Sequence, residues 1–289
     1  MNRLRAGYCR VINPYNQRDS TVSLRPEHVD GFVFWTKNAG PFLRSLDEVS
    51  EEFSFYVQYS VNGYPRQLEY SVVEKERSID HIRYICSKFG CPAVVWRYDP
   101  VLISSLTPVN FHLDNFEDIA SSLSGVVDEV VISFAQTYAK TERNMNAAAK
   151  AFQFSWIDPA GRDKFELASK LTQIAKSKGI QLTVCSQKSF IVPGAKEARC
   201  VDVQRLSSID GSILKAELKG NRPECGCYAS RDIGDYDTCP HGCVYCYAVR
   251  NRALARSRYS RHDPNGESLF VHDRVERTDA RDRTLPLFQ

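Results

Sequence analysis

Short runs of branched and aromatic residues alternate with helix-like patterns along most of the chain. Runs of this kind predict β-strands. They lie at residues 31–36, 53–60, 92–97, 129–134 and 180–185, with an earlier candidate at 6–12. Between them, apolar residues recur every three or four positions, which predicts helices. The clearest of these stripes fall within residues 79–89 and 165–175, and the second is followed by Gly179, a typical helix terminator.

The alternation of strands and helices predicts βαβ crossovers and a parallel sheet, so the expected fold class is α/β. Residues 94–96 (VVW) and 130–132 (VVI) are apolar throughout, as in a sheet buried on both faces. Five or six such units favour a partial or complete (β/α) TIM-like barrel over a short open sheet, and a doubly wound sheet remains the alternative.

Both folds bind ligands at the carboxyl ends of their strands. Polar and sulfur-containing residues at the ends of the predicted strands are therefore the first binding candidates. They are Lys37, Asn38, Ser60, Asn62, Arg97, Asp99, Gln136, Cys185 and Gln187.

The regular pattern fades after residue 206. We therefore expect a barrel over residues 1–206 and an irregular C-terminal segment over residues 207–289. The second segment has too few apolar residues to build a core of its own. It should pack on the mouth of the barrel, so that the chain forms one compact unit.

Composition and charge limit the class of protein. With 43% hydrophobic and 25% charged residues, the chain has enough apolar surface for a core. Its N-terminus lacks the apolar stretch and cleavage site of a secretory signal, and the chain has no apolar run long enough to span a membrane. We therefore expect a cytoplasmic protein without a membrane partner, whose thiols are reduced.

The net charge of +3 is small, but one stretch is strongly basic. Residues 250–261 (RNRALARSRYSR) carry five arginines and no acid. Such a stretch is either a solvated helix face or a site that meets phosphate.

Cysteines are concentrated near the C-terminus. Five of the ten fall between residues 225 and 246, and Cys239, Cys243 and Cys246 have the spacing C-x3-C-x2-C. This differs from the paired C-x2-C units of structural zinc sites. Three thiolates in one loop can hold three irons of a [4Fe-4S] cluster and leave the fourth iron open, which is a catalytic position.

Neighbouring residues fit a tight loop around such a cluster. Gly242 allows the backbone to turn sharply, and Tyr245 and Tyr247 supply aromatic cover. A zinc site remains the chemical alternative, with a fourth ligand recruited from His241, Cys225 or Cys227.

The C-x3-C-x2-C spacing, with an aromatic residue before the third cysteine, resembles the signature of radical S-adenosylmethionine enzymes. The string HGCVYCYA (241–248) is most similar to the spore photoproduct lyase branch. The resemblance implies that the open iron chelates the amino and carboxylate groups of S-adenosylmethionine. An electron from an external donor such as flavodoxin or ferredoxin then cleaves the sulfonium to give a 5′-deoxyadenosyl radical. The substrate, a small molecule or a nucleic acid, stays open.

The motif lies near the C-terminus, whereas the superfamily normally carries it after the first strand. Residues 34–38, 59–71 and 77–102 resemble other pieces of the same branch in shifted order, which implies a circularly rearranged barrel. The whole chain also resembles an uncharacterised bacterial family known as a domain of unknown function.

The resemblance also implies roles for individual residues. Lys37, Ser60 and Asn62 would contact S-adenosylmethionine, unless they are a surface lysine and ordinary turn residues. Arg97 and Tyr247 are further candidates for cofactor binding, and Tyr245 joins the three motif cysteines as a candidate catalytic residue.

Four other cysteines could hold a second, fully coordinated iron–sulfur cluster: Cys185, Cys200, Cys225 and Cys227. The alternative is that Cys185 and Cys200 are small buried hydrophobic residues. Cys86 and Cys91 are expected to fill the core.

A second function hypothesis comes from a different class. The chain would be a nucleic-acid-binding barrel with a structural zinc or iron–sulfur site, and the basic stretch at 250–261 would meet phosphate.

Overall fold

A six-stranded parallel sheet forms the centre of the protein in a computed structural model that describes residues 1–12, 18–220 and 222–270. In chain order the strands are β1 (Tyr8–Ile12), β2 (Asp19–Ser23), β3 (Phe32–Thr36), β4 (Phe55–Ser60), β5 (Val94–Val101), β6 (Ile103–Ser104), β7 (Glu129–Phe134), β8 (Trp156–Ile157), β9 (Gln181–Val184) and β10 (Lys196–Glu197). The helices are α1 (Asn2–Ala6), α2 (Ser45–Glu52), α3 (Lys75–Phe89), α4 (Val109–Leu123), α5 (Ala139–Phe152), α6 (Gly161–Ser177), α7 (Val203–Asp210) and α8 (Arg252–Ser260).

The sheet follows the order of the chain, β3-β4-β5-β7-β9-β10, and every neighbouring pair is parallel. Five predicted strands are therefore confirmed, and so is the parallel α/β fold. The early candidate at 6–12 became β1, which pairs antiparallel with β2 in a separate hairpin. The short strand β10 had not been predicted.

The helices are divided between the two faces of the sheet. Helices α2, α3, α4 and α6 pack on one face, where Trp96 and Phe116 are fully buried. Helix α7 packs on the other face, where Leu206 joins a cluster with Tyr56 and Val95. Because side chains alternate along a strand, β4 and β5 supply apolar residues to both faces.

The described residues do not close this sheet into a barrel, because β3 and β10 lie at opposite edges and do not pair with each other. The predicted boundary at residue 206 falls inside α7. Between α7 and α8 the described part of the chain has isolated bridges but no strand or helix. Residues 271–289 of the expected C-terminal segment lie outside the described residues. No helix among those described is long and apolar enough to cross a membrane.

Cys86 and Cys91 differ from expectation. Cys86 packs against the core as predicted, but the structure joins its sulfur to that of Cys91 in a disulfide. The cause is local. Helix α3 ends at Phe89, and Gly90, with a φ of 89°, turns the chain back so that the two Cα atoms lie 4.3 Å apart.

Helix α4 is joined to β5 by a buried histidine. The Nδ1 atom of His112 lies 2.9 Å from the Tyr98 hydroxyl, and its Nε2 atom lies 2.9 Å from the Leu102 carbonyl oxygen. Burial lowers the pKa of His112 to about 4. The ring is therefore neutral in the folded protein at pH 7.

We expect His112 to make the folded state sensitive to acid. The unfolded chain takes up a proton near the ordinary pKa of 6.5, while the folded chain resists protonation down to about 4. Stability should fall as the pH is lowered through this window, by about 3 kcal/mol in all. Urea unfolding at about pH 7 and about pH 4.5 checks this. The pH dependence should shrink in His112→Gln and persist in His28→Gln, a variant at an exposed position.

Candidate metal centre

The loop with the C-x3-C-x2-C motif docks on the segment that follows β4. The Val244 amide donates a hydrogen bond of 3.0 Å to the Leu68 carbonyl, and the Ser71 amide donates one of 2.8 Å to the His241 carbonyl. Glu69 and Cys243 form an antiparallel bridge between these two contacts. The backbone itself therefore holds the cysteine loop at the carboxyl end of the sheet.

Gly242 makes this docking possible. Its φ is +74°, and a Cβ atom there would lie 2.7 Å from Cδ of Arg252. The guanidinium of Arg252 lies 3.8 Å from the centre of the Tyr70 ring and donates a hydrogen bond of 2.7 Å to Ser71 Oγ. A larger residue at 242 would be strained and would push this arginine away.

A buried charged network ties the loop to the sheet. Lys37, just after β3, donates hydrogen bonds to Asn62 Oδ1 at 2.5 Å and to Glu69 Oε1 at 2.9 Å. The hydroxyl of Tyr245 donates a hydrogen bond to the same Glu69 oxygen. The side chains of Lys37 and Glu69 are only 13% and 4% exposed. The structure thus brings together Lys37 and Asn62, which sequence reasoning selected, with Tyr245 from the motif.

Electrostatics favour a charged lysine in this network. Burial alone would lower the pKa of Lys37, but the negative charges of Glu69 and Cys243 outweigh burial, and the pKa is raised. Burial raises the pKa of the Cys243 thiol, and the charge of Lys37 acts against that rise. The net effect is a raised pKa, so the thiol of Cys243 is favoured, and the charge of Lys37 offsets only part of the effect of burial.

The three motif cysteines differ in exposure. Cys239 is exposed, whereas Cys243 and Cys246 are half-buried. Among the described residues, no three His, Cys, Asp or Glu side chains are grouped so that they could hold a metal ion. The iron–sulfur and the zinc interpretation of Cys239, Cys243 and Cys246 both stay predictions.

Arg97 does not approach the motif cysteines through a hydrogen bond. Its guanidinium donates hydrogen bonds to Gln58 Oε1 at 3.1 Å and to Cys200 Sγ at 3.0 Å, and it pairs with the carboxylate of Asp99. Asp99 in turn accepts a hydrogen bond from Ser133. Arg97 therefore contacts Cys200, which belongs to the second group of candidate cysteines and not to the C-x3-C-x2-C motif.

The other two predicted cofactor contacts lie at the same edge of the sheet. Ser60 ends β4 and is paired in register with Arg97. Tyr247 is 58% exposed, and the charges that act on its hydroxyl include those of Asp99, Arg222 and Cys246. Tyr247 thus lies within electrostatic range of the motif cysteine Cys246 and of Arg97 and Arg222.

The four remaining candidate cysteines meet beside the face of the sheet on which α7 packs, where Cys185 and Cys200 join the cluster around Leu206. Cys185 follows β9, and its sulfur lies 3.4 Å from that of Cys200. Cys227 contacts both Cys200 and Cys225 through its side chain. Its sulfur also accepts a hydrogen bond of 3.4 Å from the Val201 amide. The alternative in which Cys227 completes a zinc site with the motif is disfavoured, because its contacts lie in the other group.

Several arginines of the basic stretch make contacts within the protein. Arg250 pairs with Asp237 at 2.7 Å, Arg252 bonds to Ser71, and Arg258 donates a hydrogen bond of 2.9 Å to the Tyr236 carbonyl. These contacts attach α8 and its flanks to the cysteine loop. They give the stretch a structural role beside the two alternatives stated from the sequence, a solvated helix face and a phosphate site.

Sequence reasoning missed two residues of the candidate site, Glu69 and Arg222. Glu69 follows Leu68 in a segment already compared with the spore photoproduct lyase branch, so this Leu-Glu pair was an available signal. Arg222 donates a hydrogen bond of 3.4 Å to Cys185 Sγ from an irregular segment, and no local pattern pointed to it.

Fold and site together define an α/β protein whose parallel sheet carries two groups of cysteines near its carboxyl edge. The family model described as "Domain of unknown function (DUF1848)" matches residues 1–248. The chain belongs to this family, and the matched range includes Cys239, Cys243 and Cys246. Neither the curated proteins nor the solved structures contain a match to it.

Removing the charge of Glu69 should destabilise the protein strongly. In Glu69→Gln the ammonium of Lys37 stays buried without its carboxylate, which typically costs about 3–5 kcal/mol. The matched control is Asp118→Asn, because Asp118 pairs with Lys75 at 2.6 Å but is 59% exposed. We expect the control to cost at most about 1 kcal/mol. Equal free energies of unfolding for the two variants, measured in urea, would contradict the importance of the buried network.

Proposed function

We propose that this protein is a radical S-adenosylmethionine enzyme in which Cys239, Cys243 and Cys246 hold a [4Fe-4S] cluster. The main support is the docking of a three-cysteine loop at the carboxyl edge of a parallel sheet, beside the buried cation Lys37. When bound, such a cluster would supply an open iron for S-adenosylmethionine and pass on one electron, giving methionine and a 5′-deoxyadenosyl radical that takes a hydrogen atom from the substrate.

The proposal includes a finer description of the fold. The sequential strand order and the packing of α2, α3, α4 and α6 on one face support a partial (β/α) barrel. In this description the barrel is circularly rearranged, and the last part of the chain delivers the motif that the superfamily normally carries near the first strand.

The surrounding residues have separate tasks in this proposal. Lys37, Asn62 and Glu69 position Tyr245, and with it the cysteine loop, because their polar groups bond to one another. Ser60 and Tyr247 lie at the sheet edge and remain the candidates for direct contact with S-adenosylmethionine. The single electron would come from an external protein donor such as flavodoxin or ferredoxin.

No observation favours nucleic-acid binding over this function. Arg250, Arg252 and Arg258 make hydrogen bonds or ion pairs with other residues of the chain, so their donors are partly used within the protein. A binding surface would need these donors for phosphate.

Protein purified without oxygen should be brown and should contain iron and acid-labile sulfide. With dithionite and S-adenosylmethionine it should release 5′-deoxyadenosine, measured by liquid chromatography. Cys243→Ala should reduce this release to background and lower the iron content by about four per chain. Cys9→Ala removes a buried thiol in the β1–β2 hairpin and should change neither value. Colourless wild-type protein that contains only zinc, or iron-loaded protein that forms no 5′-deoxyadenosine, would contradict the proposal.

A further inference from the structure

Four cysteines from three distant parts of the chain form a continuous group. Cys185 and Cys200 are in contact at 3.4 Å between their sulfurs, and Cys227 links Cys200 to Cys225. None of the four is in a disulfide. The group has four sulfurs, the number that a fully coordinated iron–sulfur cluster requires.

Positive charge surrounds these sulfurs. Arg97 donates a hydrogen bond of 3.0 Å to Cys200, and Arg222 donates one of 3.4 Å to Cys185. Arginine stays charged under all ordinary conditions, so two fixed positive charges lie against this group of sulfurs. They would partly balance the negative charge that thiolate ligands bring to a bound cluster.

The backbone near the cysteines is unusual. Among the described residues other than glycine, four have a φ in the left-handed region: Gln153, Ser186, Glu224 and Asp237. Ser186 follows Cys185 directly, Glu224 directly precedes Cys225, and Asp237 lies two residues before Cys239. Conformations of this kind cost energy and concentrate at functional sites.

Gly226, between Cys225 and Cys227, lies where a side chain would collide with a neighbour. A Cβ atom there would lie 3.0 Å from the Glu197 side chain. A larger residue would therefore hold this pair of cysteines away from β10. The glycine allows Cys227 to approach Val201 and Cys200.

We propose that Cys185, Cys200, Cys225 and Cys227 bind a second iron–sulfur cluster, in which every iron has a cysteine ligand. It has no open iron, in contrast to the site at Cys239. The proposal does not rest on the function proposed above, because it uses different cysteines.

Four cysteine sulfurs are a donor set that an iron–sulfur cluster accepts, with one sulfur on each iron of a [4Fe-4S] cluster. A single zinc ion also accepts four cysteines, and the iron and zinc contents of the protein distinguish the two. Loading the cluster has to separate Cys185 from Cys200 and releases the thiol protons to solvent. Room is available because Arg222, Pro223 and Glu224, which precede Cys225, are exposed at the surface.

The test uses two variants of the full chain, reconstituted anaerobically with iron and sulfide. In the triple variant Cys239→Ala/Cys243→Ala/Cys246→Ala, about four irons per chain should remain, together with sulfide. In Cys225→Ala/Cys227→Ala, about four should be lost from the wild-type total of about eight. This double variant leaves Cys185 and Cys200 in place. Circular dichroism checks that both variants fold.

The outcomes separate the two proposals. A triple variant that folds but holds no iron, or holds one zinc in place of iron, overturns the second cluster and leaves the first proposal intact. A triple variant with the same iron content as the wild type, about four, supports the second cluster and overturns the first. Cys9→Ala is the control for loss of an unrelated buried thiol, and an iron loss there equal to that of the double variant also overturns the proposal.

Discussion

The buried ion pair between Lys37 and Glu69 is the interaction on which the arrangement of the site depends. Two charges away from water are costly unless hydrogen bonds satisfy them. Here Asn62 accepts a second hydrogen bond from Lys37, and Tyr245 donates one to Glu69. The pair is therefore favourable only when three parts of the chain are together: the end of β3, the segment after β4 and the cysteine loop. This makes the position of the loop a property of the whole fold.

The sequence predicts the central strands of the sheet well because each has an apolar run that is several residues long. Strands β4, β5 and β7 are buried on both faces, so their apolar runs stand out, and the helices between them show a clear stripe. Strand β10 has two residues, too few for any pattern to indicate. A sheet closes into a barrel only if its two edge strands, here β3 and β10, pair with each other. The twist and packing of the whole sheet decide this, and a local sequence pattern contains no information about them.

The residues of the candidate site also fall into two kinds, those that a local pattern identifies and those that only long-range contacts define. Spacing alone identified Cys239, Cys243 and Cys246, since ligand spacing on a short loop is a local property. Glu69 and Arg222 were not selected from the sequence, because a charged residue looks the same there whether it is solvated or bonded to a buried partner. Arg97 was predicted at the end of a strand, but β5 continues to Val101, so Arg97 lies inside the strand. Its hydrogen bond goes to Cys200, a choice that depends on which face of β5 it occupies.

The cysteine loop docks on the segment after β4, which is far ahead of it in the chain. This affects the order in which the parts of the site come together. During synthesis the N-terminal part of a chain emerges first. All six parallel strands and Glu69 are synthesised before Cys239. Lys37 and Glu69 can therefore be in place while the cysteine loop is still being translated. The motif can then dock on a surface that has already folded.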